Sequence, residues 1–249
     1  MLPKTLIKTA LRKAGFAIYA IPKGESEARG GYHYAQAHPN ATLAPWLADA
    51  EFMAAYERAK HNTLVDIYRM FDLWTLVAET AKAGGDIVEI GVWRGGSGCL
   101  MAKKAQLIGD GATVWLCDTF EGVVKAGSED SNYRGGEHRD TDVSIVEKLA
   151  ADLGVTNTKT LVGIFPDQSG GKLNAKSVRL LHIDVDVYQS AKDCVDFLWD
   201  RMPSGAAAVF DDYGFPGCEG VTRCVDEFRA RNDIFYIHNL NGHAVLIKR

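Results

Sequence analysis

Short apolar runs rich in β-branched residues alternate with amphipathic stretches through most of the chain. Runs such as "DIVEIGV", "VWLCDTF", "RLLHIDV" and "AAAVF" have the length and composition of buried strands. Between them, "GSGCLMAKKAQLIG" and "SAKDCVDFLWDRM" repeat their apolar residues at helical spacing. Strands that alternate with helices form βαβ units with right-handed crossovers. The pattern therefore predicts an α/β fold with a doubly wound, mostly parallel sheet of seven strands.

Both ends of the chain depart from this alternation. Residues 1–60 begin with a basic amphipathic stretch, followed by polar residues, glycines and prolines, and they predict an N-terminal helical lid segment ahead of a domain at 61–249. The cations of the first stretch are Lys4, Lys8, Arg12 and Lys13; they suit either a lid or subunit-contact helix or a peripheral membrane contact. At the other end, "NG" between the last two strands predicts a hairpin and hence an antiparallel last strand.

Composition narrows the classes of function. The 249 residues are 47% hydrophobic and 24% charged, as in soluble globular proteins, and the net charge of −4 gives no basic excess for binding nucleic acid. No apolar run reaches the roughly 20 residues that cross a bilayer, so no transmembrane segment is expected. The five cysteines are odd in number and contain no C-x-x-C pair. They favour a reducing, cytoplasmic location.

Glycines follow the first predicted strand of the sheet. The stretch "VEIGVWRGGSG" places Glu89 and Gly91 at the strand tip and further glycines where the next helix begins. Glycine lets the backbone approach a ligand, and free amides at a helix N-terminus favour an anionic group. Taken alone, the loop fits a structural turn as well as a ligand loop, because it does not match the dinucleotide fingerprint.

Two later strand tips carry candidate cofactor residues. "VWLCDTF" ends near Asp118, about one βα unit after the glycines, where an acidic side chain can accept both hydroxyls of a ribose. The loop "GIFPD" offers Phe165 as an apolar wall and Asp167 as a polar contact for a purine, although Phe165 also suits the core. Together these residues favour a nucleoside-bearing cofactor.

Acidic residues end two predicted strands that we expect to be neighbours. Asp184 in "LLHIDVDVY" and Asp211 and Asp212 in "AVFDDYG" should converge at one sheet edge, where packed carboxylates repel. The nearby basic residues, Arg179 and Lys192, lie at the opposite strand end and on the following helix, and no His–Cys group competes. Oxygen ligation then predicts Mg²⁺, Mn²⁺ or Ca²⁺. The alternative is that these acids cap the helices that follow.

One more acid follows this pair of strands. A bound cation lowers the pKa of a substrate hydroxyl and fixes its position, and a nearby carboxylate can then take the proton. Asp186 can point into the same pocket from a turning chain, so we interpret it as the candidate general base. His182, in the middle of the strand, is expected to be a buried histidine whose hydrogen bonds are satisfied.

The quoted motifs resemble those of a known enzyme family. "DIVEIGVWRGGSGCLMAK", "VWLCDTFEG", "GIFPD" and the segment from "LLHIDVDVYQS" to "CVDEF" are similar to the macrocin O-methyltransferase (TylF-type) family, over residues 60 to 249. The combination of D-x-D-x-Y with D-D-Y is specific. The resemblance implies a Rossmann-like fold and Mg²⁺-dependent transfer of a methyl group from S-adenosylmethionine to a hydroxyl. The acceptor would be a sugar in a glycoside, polysaccharide or natural-product precursor, and the enzyme would be a homo-oligomer.

The resemblance also implies a role for each matched residue. Asp184, Asp211 and Asp212 would hold Mg²⁺, and Asp186 would be the general base. The cofactor contacts would come from Glu89, Gly91, Ser97, Asp118, Thr119, Phe165 and Asp167.

Residues outside the matched motifs remain open to two interpretations. Tyr32, His33 and Trp46 are expected near the acceptor, or else they stabilise a loop. His138 and Arg139 lie on a polar loop after the second strand, which in the family helps to cover the active site. They are either solvated or bind a charged acceptor.

Two functions from other classes compete with methyl transfer. A metal-dependent glycosyltransferase can use D-x-D to hold a nucleotide sugar, and a nucleoside-binding module would need no chemistry. The order of the glycines, Asp118 and D-x-D suits a nucleoside without pyrophosphate, and a binding module leaves the acidic cluster unexplained.

Overall fold

The structure, a computed structural model, describes residues 7, 11, 13–16, 28–35 and 41–249. The chain divides into two units, Met1–His38 and Pro39–Arg249. In the first unit, the strands β1 (Ala28–Arg29) and β2 (Tyr32–His33) pair in antiparallel fashion. The basic residues Lys4, Lys8 and Arg12 of the predicted N-terminal helix lie outside the described residues.

The second unit contains one mixed sheet of seven strands. They are β3 (Asp86–Ile90), β4 (Val114–Asp118), β5 (Thr158–Val162), β6 (Val178–Ile183), β7 (Ala207–Phe210), β8 (Ile234–His238) and β9 (Ala244–Lys248). Their order across the sheet is β5-β4-β3-β6-β7-β9-β8. The pairs among β3 to β7 are parallel, and β9 runs antiparallel to both β7 and β8. The predicted doubly wound, mostly parallel sheet with an antiparallel last strand is confirmed.

Helices cover both faces of this sheet. They are α1 (Ala50–Ala59), α2 (Ile67–Glu79), α3 (Gly96–Ile108), α4 (Val143–Leu153), α5 (Tyr188–Leu198) and α6 (Glu219–Phe228). Helices α1, α2 and α4 each begin at an aspartate, Asp49, Asp66 or Asp142, whose side chain accepts hydrogen bonds from amides of the first turn. After α2, a 3₁₀ turn ends at Gly84 with φ +72°.

The core lies in two layers, one on each side of the sheet. Neighbouring residues of β6 point to opposite layers: Leu180 packs with Phe52 and Trp74 of the helices on one face, and Leu181 packs with Trp199 on the other. Every residue of β6 is buried. Central parallel strands covered on both faces are mostly apolar, which is why Leu180, Leu181 and Ile183 lead up to Asp184.

The second unit begins earlier than the predicted boundary at residue 61. Helix α1 buries Phe52, Ala55 and Ala59 in the core, and the ring of Phe52 meets that of Trp74 edge to face at 5.6 Å. The predicted segment 1–60 therefore includes a helix that packs as part of the larger unit. Among the described residues, no helix has the length and apolar character to span a membrane.

The strand order reverses between β3 and β6, and this reversal opens a crevice. After β3 the chain builds β4 and β5 on one side and then returns to β6 on the other, so the carboxyl ends of β3 and β6 lie side by side. Gly91 follows β3 with φ +88°, and a Cβ placed there would stand 1.6 Å from the carbonyl oxygen of Asp184. Only glycine allows the two strand tips to approach this closely.

Candidate active site

A cleft of about 1080 Å³, its open mouth included, lies beyond the carboxyl ends of the parallel strands. The predicted residues that line it are Gly91, Ser97, Asp118, Thr119, Phe165, Asp184, Asp186, Asp211 and Asp212. Glu89 and Asp167 are outside this lining. The topology thus brings together all but two of the residues expected from the sequence.

Asp118 fixes the loops at one end of the cleft. Its Oδ2 accepts hydrogen bonds from the amides of Val92 at 2.7 Å and Trp93 at 2.8 Å, and its Oδ1 accepts one from the amide of Phe120 at 2.7 Å. The Thr119 hydroxyl donates to the carbonyl of Gly122 at 3.0 Å. A carboxylate has about four lone-pair sites, so these three bonds leave Asp118 one site that can accept a hydroxyl of a ligand.

The glycines in the first turn of α3 are required by close packing. A Cβ on Gly96 would stand 2.6 Å from the Cβ of Thr63, and a Cβ on Gly98 would stand 2.2 Å from the Oε2 of Glu89. Gly95 begins the helix in the left-handed region, and no side chain caps this terminus. The turn is therefore structural in origin, and the same turn lines the cleft through Gly91 and Ser97.

Glu89 and Asp167 have partners away from the cleft. Glu89 is fully buried, and its Oε1 lies 2.9 Å from the Nδ1 of His182. Asp167 is exposed, with its Oδ2 2.8 Å from the Nζ of Lys125. The structure does not bring these two carboxylates to the other predicted cofactor residues, and their contact with a cofactor stays a prediction. Phe165 is buried on the cleft surface, as expected for an apolar wall.

Four carboxylates, those of Asp184, Asp186, Asp211 and Asp212, meet at the other end of the cleft. The guanidinium of Arg69, on α2, donates to Asp211 and lies 4.0 Å from Asp212. Arg69 was not among the basic residues expected near the cluster, Arg179 and Lys192. It was missed because it lies more than a hundred residues before the acids in the sequence.

Arg69 does not neutralise the whole cluster. Burial, followed by repulsion from Asp211 and its neighbours, raises the pKa values of Asp184 and Asp212 well above the ordinary range. Burial acts in the same direction on Asp211, but His243, when its ring is protonated, and Arg69 outweigh it and lower the pKa of that carboxyl. Asp184 and Asp212 are thus the carboxylates that an additional cation would relieve.

The carboxylates do not cap the helices that follow them. Helix α5 begins after Val187 without a side-chain cap, and the amide of Tyr188 donates to Asp130 at 2.9 Å. Helix α6 begins after Cys218, also without a side-chain cap. Asp186 and Asp212 instead adopt the left-handed backbone, with φ +64° and +61°. The capping alternative is therefore wrong, and strained backbone at both acids is typical of functional positions.

The loop between β4 and α4 supplies a side chain that the sequence did not single out. The phenol of Tyr133 donates to the Oδ1 of Asp186 at 2.6 Å. Burial, together with the charge of Asp186, raises the pKa of Tyr133, so the phenol remains a protonated donor. His138, expected either in solvent or over the site, lines the cleft, whereas Arg139 is exposed.

Histidines also lie among the acids, contrary to the expectation of an oxygen-only cluster. One ligand atom each of His182, Asp211 and His243 lies within 4.8 Å of the other two, and the same is true of Asp186, Asp212 and Cys218. His182 has its Nδ1 satisfied by Glu89, but its Nε2 has no hydrogen-bond partner. The expectation of a fully satisfied His182 was therefore only half correct.

The aromatic residues proposed for the acceptor lie in different units. Tyr32 and His33 form β2 of the first unit. The ring of Trp46 packs edge to face on those of Tyr68 and Phe71, with ring centroids 5.1 Å and 6.1 Å apart. Trp46 therefore packs against α2. A contact of these three residues with the acceptor stays a prediction.

Comparison with known proteins decides between the candidate functions. Residues 52–249 match the model of the family "Macrocin-O-methyltransferase (TylF)". The chain belongs to this family. It is 30% identical over 185 residues, 70% of this chain and 69% of the relative, to an 8-demethyl-8-(2,3-dimethoxy-alpha-L-rhamnosyl)-tetracenomycin-C 4'-O-methyltransferase of Streptomyces olivaceus.

Two further similarities agree with this assignment. Mycinamicin III 3''-O-methyltransferase of Micromonospora griseorubida is 28% identical over 189 residues, 70% of this chain and 72% of that protein. The solved structure of the O-methyltransferase NovP superposes with a TM-score of 0.65 at 25% identity, over 75% of this chain and 82% of that one. The chain is an O-methyltransferase, and neither the glycosyltransferase nor the binding-module interpretation is favoured.

Proposed function

We propose that this O-methyltransferase moves a methyl group from S-adenosylmethionine to a sugar hydroxyl and that it uses Mg²⁺. The observation that carries the proposal is the arrangement of the cleft, in which the glycine turn and Asp118 form one end and four carboxylates form the other. The activities for which the relatives are named, O-methylation of a rhamnosyl tetracenomycin and of mycinamicin III, support a sugar or natural-product acceptor.

The cofactor fits the first end of the cleft. S-adenosylmethionine supplies an electrophilic methyl group on a sulfonium. Asp118 is the residue to accept its ribose hydroxyls, and Phe165 forms an apolar surface for its adenine. Gly91 and Ser97 of the turn line this end of the cleft. These roles follow the family pattern residue by residue.

The donor set at the other end fits a hard divalent cation. Asp184, Asp211 and Asp212 would hold it, since all three offer carboxylate oxygens and the pKa values of two of them are raised for lack of a counter-charge. When bound, the cation would lower the pKa of the acceptor hydroxyl and fix its position. Arg69 holds Asp211 in place from the buried side.

The chain's own residues then handle the proton. Asp186 accepts it from the acceptor hydroxyl as the methyl group is transferred. Tyr133 orients Asp186 by donating to its Oδ1. Because the loop that carries Tyr133 also places His138 on the cleft, the same loop limits the access of water to the reacting groups.

Calorimetric titration tests the proposal. We expect micromolar binding of S-adenosylmethionine and S-adenosylhomocysteine and no binding of nucleotide sugars. Tighter binding of a UDP- or GDP-sugar would contradict methyl transfer. A cytoplasmic location is also proposed, supported by five buried cysteines that form no disulfide.

A further inference from the structure

Two buried histidines face Asp211 from the interior of the sheet, behind the cleft. His182 lies on β6 and His243 immediately precedes β9, and neither side chain is exposed. Their rings stand 6.0 Å apart, at 73° to each other. The Nε2 of His182 and both ring nitrogens of His243 lack hydrogen-bond partners. Buried polar atoms of this kind are costly unless something binds them.

A carboxylate stands behind each imidazole. Glu89 accepts from His182 at 2.9 Å, and since a carboxylate can only accept, the Nδ1 of His182 carries the proton. Its Nε2 then presents a lone pair. On His243, Nδ1 lies 3.6 Å from Asp72 and Nε2 lies 3.5 Å from Asp211. Histidine ligands of metals have this pattern, with the second ring nitrogen held by a carboxylate.

The charge of Glu89 adds an independent reason for a cation. Glu89 is fully buried, and its Oε2 has no hydrogen-bond partner. A neutral His182 leaves this carboxylate uncompensated in the interior, which is strongly unfavourable. A divalent cation on the Nε2 of His182 would supply positive charge to the pair through the imidazole. Arg69, the nearest cation on Asp211, approaches the cluster from α2.

We propose that His182, His243 and Asp211 form a second cation site, which takes a divalent first-row transition metal such as Zn²⁺. One ligand atom of each residue lies within 4.8 Å of the others, and two imidazoles with one carboxylate select such ions over Mg²⁺. The site is buried, so its role is to hold Asp211 in position beneath the cleft. It does not depend on methyl transfer and shares only Asp211 with the proposed Mg²⁺ ligands.

Cobalt binding tests the site without cofactor or acceptor. The full-length protein is freed of metal with dipicolinate and titrated with Co²⁺ alone. We expect one equivalent with the intense visible absorption of cobalt bound by imidazole nitrogen, apart from weakly absorbing cobalt at the carboxylates of the proposed Mg²⁺ site. His182→Gln and His243→Gln should weaken this binding by about 100-fold or more, and Glu89→Gln by about 10- to 100-fold, the usual effect of a lost outer partner. Asp184→Asn and the exposed His61→Gln should leave it unchanged.

A measurement on the wild-type protein guards against variants that fail to fold. In protein labelled with ¹⁵N-histidine, Zn²⁺ should shift the Nε2 resonances of two histidines. The site would be overturned if both nitrogens of each ring carried protons and the resonances did not respond to Zn²⁺. The histidines would then form buried imidazolium–carboxylate pairs. Intense cobalt absorption that survives in both histidine variants would also overturn the site. Loss of methyl transfer with intact cobalt binding would instead count against the proposed function alone.

Discussion

The two ends of the cleft are built in opposite ways. At the glycine end, Asp118 already accepts three backbone amides, and the turn is held by close packing. At the acidic end, Asp184 and Asp212 are buried beside other acids, and their pKa values are raised. The first end is satisfied by the fold itself. The second is held in an unfavourable state that a cation and a substrate would relieve.

This difference separates stability from function within one site. Substitution of a residue whose interactions are complete in the ligand-free chain should lower the stability of the protein. Substitution of a residue whose interactions are incomplete should lower activity, and at some positions it should raise stability. Proteins commonly show this exchange at their active sites.

The largest expected effect is on turnover, at the acidic end. Asp186→Asn removes the proposed base, so kcat should fall by about 10³-fold while the affinity for S-adenosylmethionine stays near that of the wild type. Steady-state kinetics with calorimetry measures both quantities. Asp196→Asn, an exposed acid on the surface of α5, is the matched control and should leave kcat unchanged.

The next largest effect is on stability, at Gly91, where the two ends of the cleft meet. In Gly91→Ala the new methyl group would collide with the Asp184 carbonyl, and we expect the free energy of unfolding to fall by about 3 kcal/mol or more. Gly109→Ala is the control: it has the same sign of φ, +73°, but open space around it, and should cost about 1 kcal/mol. Urea unfolding measures both variants. Equal losses of unfolding free energy in Gly91→Ala and Gly109→Ala would mean that the tips of β3 and β6 are free to separate.

Tyr133→Phe tests the support of the base. The variant keeps the ring and removes the hydrogen bond to Asp186, a bond to a charged group worth about 1.5–3 kcal/mol. We expect kcat to fall about tenfold, because Asp186 loses the hydrogen bond that orients it. A kcat equal to that of the wild type would show that Tyr133 does not act through Asp186.

The smallest effect separates two neighbouring acids in the metal-free protein. The raised pKa of Asp212 means that its contribution to stability is lost as pH rises from about 3.9, the unfolded value, toward the folded one. Asp212→Asn should therefore stabilise the protein at pH 7, by about 1.4 kcal/mol for each pKa unit of the shift.

Asp211 should behave in the opposite way. Its lowered pKa gives stability that is present above the unfolded value and lost as pH falls through the folded one, so Asp211→Asn should destabilise the protein at pH 7. Thermal unfolding in the presence of a chelator, followed from pH 4 to pH 8, compares the two variants. Shifts of the same sign at pH 7 would contradict the division of charge within the cluster.

The sequence predicted the sheet and most of the cleft, because strand tips follow from the alternation of elements. Asp184, Asp211 and Asp212 converge simply because β6 and β7 are parallel neighbours. It did not predict Arg69, Tyr133 or His243, since each reaches the site through tertiary packing from a helix or a loop. The predicted two-residue hairpin was also too short: residues 239–243 connect β8 and β9, and the side chain of Asn239 holds the turn.

Transfer of a methyl group in the presence and absence of a divalent cation tests the role of the acidic end most directly. The protein is incubated with S-adenosylmethionine and a panel of natural-product glycosides, and products are detected by the mass gain of one methyl group on the sugar. We expect a methylated product that disappears after treatment with EDTA and returns when Mg²⁺ is added. Full activity after complete removal of divalent cations would contradict the assignment of Asp184, Asp211 and Asp212 as metal ligands.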